Sequence, residues 1–162
     1  MVSKNILLIN NLQQLCIEKG VSVAVAESCT AGLIASKLTT LTGSSSYFKG
    51  GVVTYQNEIK IKILEVSQSI IEEKTEVSAQ VVSQMAKSVL NKFDADFAVA
   101  TSGYLGPTGG TNKNPIGTVF IAIAGVDEVV VNRFFFSGNR QSVVNQACES
   151  ALLFLYTEIK KQ

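Results

Sequence analysis

Three adjacent side chains in the stretch Glu27-Ser28-Cys29-Thr30-Ala31-Gly32 carry nucleophilic atoms, two hydroxyls and a thiol, and a carboxylate precedes them. The usual activator is missing, because the 162-residue chain contains no histidine. That absence removes Ser-His-Asp triads, Cys-His pairs and every histidine-containing metal site. A hydroxyl that attacks an electrophile here must give its proton to a lysine, a tyrosinate or a carboxylate. Lysine does this when burial or positive neighbours depress its pKa. The stretch Thr54-Tyr55-Gln56-Asn57-Glu58-Ile59-Lys60 supplies a tyrosine, Tyr55, that can relay a proton and a lysine, Lys60, that can accept it.

Each of these residues also has a purely structural reading. Ser28 and Thr30 stand where an apolar run gives way to a helical pattern, so either hydroxyl can cap the helix. The spacing Ser-x-x-Ala lacks the acidic partner of a capping box. Cys29 is intrinsically the better nucleophile, but nothing basic adjoins it. Taken alone, Tyr55 reads more readily as a packing residue, and Lys60 as a solvated charge on an exposed helix face. Glu27 ends an apolar strand and must either reach water or find a partner.

A second group of residues suggests an anion site. Residues 103–115, "GYLGPTGGTNKNP", form a glycine-rich loop, and loops of this length in compact domains are usually functional or mobile. It is neither a P-loop nor a dinucleotide fingerprint. Its glycines still let backbone N–H groups approach a phosphate, and Thr108 and Thr111 add hydroxyl donors. The alternative is an ordinary flexible loop. The only two arginines, Arg133 and Arg140, fall close together. Arg140 follows Gly138-Asn139 at a predicted helix start, where it is either an anion fork or a surface charge. Arg133, in the alternating run "VVVNRFFF", reads as an edge or surface residue.

The elements that must position these residues follow from periodicity. Leu8, Leu12, Leu15 and Cys16 recur at helical spacing, and "VSVAVA" (21–26) reads as a buried strand. A helix over "TAGLIASKLTTL", a loop at "GSSSYF" and a strand "KGGVVTY" ending near Tyr55 come next. Asn57 is a candidate cap for "EIKIKIL", and Ser78 for a helix carrying Val82, Met85, Ala86, Val89 and Leu90 on one face. "ADFAVATS" is a further buried strand, and "IGTVFIAIAG" with "VVVNRFFFSG" reads as an antiparallel hairpin. The last helix repeats Val143, Ala147, Ala151, Leu155 and Ile159. Helices alternating with buried strands predict a layered α/β domain with a mixed sheet. Ligands gather at the carboxyl ends of strands in such sheets, so "ESCTAG", "TYQNE" and "TSGYLGPTGG" are expected to converge.

Bulk properties narrow the classes. Residues 1–162 suit a single domain, with 46% hydrophobic and 17% charged residues. Net charge is +1 and no basic stripe appears, which argues against nucleic-acid binding. Three widely spaced cysteines fit buried reduced thiols rather than a disulfide framework or a zinc site. No apolar run suits a signal peptide or a membrane span, so a cytoplasmic protein with no membrane partner is expected.

Five motifs in order, "AESCTAG", "GGVVTYQNEIK", "VSAQVVSQMA", "TSGYLGPTGGTNKNPIGTVFIAI" and "FSGNRQSVVNQACESAL", resemble the C-terminal domain of the competence/damage-inducible protein CinA. That family is also described as PncC-type nicotinamide-nucleotide amidases. The resemblance runs from about Leu15 to the end. It implies a three-layer α/β/α sandwich whose mixed, mostly parallel sheet ends in an antiparallel hairpin. It also implies a homodimeric amidohydrolase without metal or organic cofactor. The reaction would convert a small-molecule substrate, nicotinamide mononucleotide, to nicotinate mononucleotide and ammonia in pyridine-nucleotide salvage. Many relatives carry a molybdopterin-binding-like domain before this one, so the chain would be a stand-alone form or an excised domain.

Carried over by motif, Ser28 is the nucleophile and Lys60 the base, with Tyr55 as relay. The turn bearing Thr30, Ala31 and Gly32 would face the substrate, and Gly106, Thr108, Gly109, Gly110 and Arg140 would hold its 5′-phosphate. Three positions depart from the family pattern: Ala31 replaces a glycine, Asn139 an aspartate and Tyr104 a small residue. The rival expectation is a nucleotide- or phosphate-binding regulatory or competence-associated module that keeps the fold and has lost turnover.

Overall fold

The computed structural model describes residues 4–162. Helix α1 (Lys4–Lys19) leads into strand β1 (Val23–Glu27), helix α2 (Leu33–Leu38) and strand β2 (Phe48–Val53). Helices α3 (Asn57–Leu64), α4 (Gln68–Lys74) and α5 (Ala79–Lys92) precede strand β3 (Phe97–Gly103). Strands β4 (Thr118–Ala124) and β5 (Val129–Phe135) then form the hairpin, and α6 (Arg140–Lys161) closes the chain. The sheet order is β2-β1-β3-β4-β5. β1 is parallel to both β2 and β3, and β4 is antiparallel to β3 and to β5. Four strands therefore point one way and β4 runs against them, the mixed three-layer α/β/α architecture expected.

An alternation of residue size assigns the two faces of the sheet. Ala24, Ala26, Ala98, Ala100, Ala122 and Ala124 face one side and pack against α5 through Val81, Val82, Met85, Ala86 and Val89. Val23, Val25, Phe97, Val99, Val119, Ile121 and Ile123 face the other, against Leu12 and Cys16 of α1 and Ala147, Ala151 and Leu155 of α6. Alanines on one face let α5 lie close to the sheet, while bulkier residues fill the wider gap under α1 and α6. Each large side chain buried this way contributes about 1.5–3 kcal/mol. β1 and most of β3 are buried on both faces, which is why they read as apolar runs without a polar phase.

Some local expectations change. Ser78 does cap α5, accepting from the Val81 N–H, but α3 already begins at Asn57, the expected cap: Gln56 holds the cap position instead and makes no side-chain bond. The loop "GSSSYF" contains a single 3-10 turn, Ser44–Ser46. Helix α4, with Ser67 accepting from the Ile70 N–H as its cap, has too short an apolar pattern to be visible in the sequence. Among the described residues no helix is long and apolar enough to cross a membrane.

The register sets up the site. Glu27 lies opposite Val53 on one side and Thr101 on the other, so the carboxyl ends of β2, β1 and β3 rise side by side. The three loops that carry the chemistry leave from that one edge.

Candidate active site

Glu27 answers for its burial with four partners. Its Oε2 accepts from the Thr30 hydroxyl at 2.6 Å and the N–H groups of Gly32 at 3.0 Å and Ile34 at 3.1 Å. Its Oε1 accepts from the Ala35 N–H at 2.8 Å. The carboxylate thus takes the free N–H groups at the start of α2, the cap position expected of Ser28 or Thr30. A charge-assisted set of this kind fixes the turn between β1 and α2. Thr30 is held further by a 2.8 Å contact with the Thr101 hydroxyl.

Ser28, relieved of capping, is aimed elsewhere. Its N–H is held by the Thr101 carbonyl at 3.1 Å, and its hydroxyl lies 3.0 Å from Lys60 Nζ. Lys60 is only 1% exposed, although its spacing in the helix favours a solvated lysine on an exposed face. Its Nζ also donates to the Thr54 and Tyr55 carbonyls, each at 2.9 Å. Burial pulls the Lys60 pKa down to about 8, against the opposing effects of Glu76 and Cys29. As a neutral amine, Lys60 has two N–H donors for the two carbonyls and one lone pair left for Ser28. That arrangement makes it an acceptor for the serine proton.

The same turn offers donors for a developing negative charge. Its Ala31 N–H is bonded to the Ser28 carbonyl and its Leu33 N–H to the Thr30 carbonyl. Among the described residues no oxygen accepts from the N–H groups of Cys29 or Thr30. Both residues are buried and directly follow Ser28 in the chain, and the Cys29 N–H meets only its own sulfur. Ala31 takes the left-handed conformation, φ 48°, which explains why glycine suits this position better. The neighbouring thiol is a weak rival: burial pushes Cys29 up to about 12, leaving almost no thiolate at neutral pH.

One cavity opens over the pair and a second adjoins it. One, of about 170 Å³, is lined by Ser28, Lys60, Glu76, Ser102, Gly103 and Tyr104 among others. The other, of about 310 Å³, is lined by Thr30, Ala31, Leu105, Arg140, Gln141 and Val144. Cys29 and Tyr55 border both. Together they reach the ~300–1,000 Å³ typical of small-molecule sites.

Tyr55 is 54% exposed and its ring stands between the cavities. Its hydroxyl accepts from Arg140 Nη2 at 2.9 Å and is bonded to neither Ser28 nor Lys60. Arg140 Nη1 donates to the Gly106 carbonyl at 2.8 Å, so one guanidinium ties the end of β2, the glycine-rich loop and the start of α6. Asn139 caps α6, accepting from the Ser142 N–H at 2.9 Å, a bond an aspartate would make equally. Arg133 donates to Asn114 Oδ1 and the Lys113 carbonyl, bracing the far end of the loop.

Of the residues expected at the site, Ser28, Lys60, Tyr55, Thr30, Ala31 and Arg140 line the cavities, Gly106 is bonded to Arg140, and Gly32 sits behind the turn on Glu27. Thr108, Gly109 and Gly110 lie farther along the loop and line neither cavity. Glu76 and Ser102 escaped notice in the sequence. Ser102 ends a buried strand at the expected edge, which was a usable signal. Glu76 lies between helices with no pattern around it.

Comparisons with known proteins bear on the family and the fold. The CinA C-terminal domain family matches residues 6–159. A CinA-like protein of Flavobacterium psychrophilum is 44% identical over 150 residues, covering 93% of this chain and 36% of its own length. One from Geotalea daltonii is 44% identical over 140 residues, covering 86% of this chain and 34% of its own. The chain thus spans about a third of the length of the curated relatives it matches. Among solved structures, a competence-damaged protein (CinA) superfamily protein of Klebsiella pneumoniae superposes with a TM-score of 0.94 at 31% identity, covering 99% of this chain and 100% of that one. The competence/damage inducible protein CihA of Agrobacterium tumefaciens gives 0.92 at 32% identity, with 97% of each chain covered. Sequence and fold together place the chain in the CinA C-terminal domain family.

Proposed function

We propose that the chain is an amidohydrolase that deamidates nicotinamide mononucleotide through a serine–lysine pair. The observation that carries this reading is Lys60: buried, with a pKa near 8, and 3.0 Å from the Ser28 hydroxyl. Ser28 Oγ attacks the carboxamide carbon while neutral Lys60 takes the hydroxyl proton. The carbonyl oxygen becomes an oxyanion facing the N–H groups of Cys29 and Thr30. Collapse breaks the C–N bond, and the Lys60 proton leaves with the nitrogen as ammonia. An ester remains on Ser28. Water attacks it, Lys60 accepts the water's proton, and collapse of the second intermediate returns a proton to Ser28 Oγ as the carboxylic acid is released.

The direct Ser28–Lys60 contact lets the first proton move without a relay, so the Tyr55 ring serves as a wall between the cavities. The pyridine ring fits the smaller cavity beside Ser28, and the ribose phosphate the larger one beside Arg140. Two of the five guanidinium N–H donors are engaged with Tyr55 and Gly106, leaving others for the phosphate.

Ammonia release from nicotinamide mononucleotide, measured beside a panel of other amides, tests the reading. Turnover that prefers the mononucleotide over free nicotinamide supports it. Tight calorimetric binding of the mononucleotide with no ammonia over hours overturns it in favour of a binding module.

A further inference from the structure

Glu76 is a charged residue on the wall of the reactive cavity with no part in the steps above. Its backbone is pinned there, since its carbonyl accepts from the Ser102 hydroxyl at 2.8 Å. Tyr104, where the family pattern has a small residue, lines the same cavity beside Glu76. Other ionisable groups bordering the cavity are Lys60, the thiol of Cys29 and the phenol of Tyr55, so among the described residues Glu76 is its one carboxylate.

A primary carboxamide and the carboxylate it becomes differ most at this wall. The amide presents two N–H donors on its leaving nitrogen, and a carboxylate is a strong acceptor for them. The product presents an anion instead. Left alone, protonated Lys60 would hold that anion against Ser28. A fixed negative charge across the cavity opposes the hold, and like charges in a partly desolvated site repel strongly.

We infer that Glu76 is a specificity-determining residue that accepts a hydrogen bond from the substrate's carboxamide nitrogen and expels the carboxylate product. This inference rests on the amidase reading above and adds a residue to it. The chemical class it selects is the neutral primary amide over the ionised acid.

The test compares two variants, Ser28→Ala and Ser28→Ala with Glu76→Gln, so that the amide is bound without turnover. Calorimetry at neutral pH gives Kd for nicotinamide mononucleotide and for nicotinate mononucleotide. In the Ser28→Ala chain the amide is expected to bind better than the acid. Adding Glu76→Gln, which keeps the shape and removes the charge, should shift the ratio at least tenfold toward the acid. An unchanged ratio with both nucleotides still bound overturns the inference alone. If neither nucleotide binds the Ser28→Ala chain, the proposed function falls and the inference with it. Because Gln keeps the backbone bond to Ser102, an unchanged Tm separates this effect from misfolding.

Discussion

Replacing Lys60 with methionine keeps most of the side chain's length and removes its amine. In the wild type, burial lowers the amine from the ordinary 10.5 to about 8. At about 1.4 kcal/mol per tenfold, that fall corresponds to roughly 3 kcal/mol of destabilisation whenever the folded chain must carry the ammonium. The sign follows from proton counts. Below about pH 8 both folded and unfolded chains hold the proton, so the full destabilisation applies. Between about pH 8 and pH 10.5 the unfolded chain holds a proton that the folded chain has lost, so stability rises with pH. Urea unfolding of wild type and Lys60→Met across this window reads the difference directly. The wild type should gain roughly 3 kcal/mol on the variant between about pH 7 and pH 11, and its kcat/KM should rise about tenfold between pH 7 and pH 9, then level off. Parallel stability curves, or an activity midpoint near 10.5, would show Lys60 to be an ordinary solvated amine.

Three other outcomes test the surroundings of the pair. Glu27→Gln replaces one acceptor oxygen with a donor facing the N–H groups of α2. It should cost about 2–3 kcal/mol in urea unfolding and lower kcat, because the turn holding Ser28 loosens. Ala31→Gly relieves the left-handed backbone and should raise stability by about 0.5–1 kcal/mol; a lower Tm contradicts the strain argument. Iodoacetamide at neutral pH should leave the native chain active and Cys29 unlabelled by peptide mass spectrometry, since the thiol is buried and held near 12.

The layered fold was legible because β1 and β3 are buried on both faces and so carry unbroken apolar runs, while α5 and α6 keep clear helical stripes. The assignment of faces was not, since it depends on alanine meeting α5 and valine or isoleucine meeting α1 and α6, a distinction that exists only once strands are paired. Tyr55 and Lys60 came into view because the absence of histidine left few bases, whereas Ser28 was singled out from Cys29 and Thr30 by the family resemblance. The turn's true anchor was half visible. A carboxylate at the end of an apolar strand demanded a partner, but the sequence could not show that Glu27 caps α2 in place of Ser28 or Thr30. Arg140 was marked by charge and position, whereas its bonds to Tyr55 and Gly106 arise from elements far apart in sequence. Glu76 gave no signal at all, because it reaches the cavity from an irregular link between α4 and α5.

Everything in the account turns on Ser28 as the attacking atom. The direct measurement is ammonia release from nicotinamide mononucleotide by Ser28→Ala, beside wild type at the same pH. The rate should fall about a thousandfold or more with the Tm and nucleotide binding preserved. A variant that releases ammonia at the wild-type rate would contradict it.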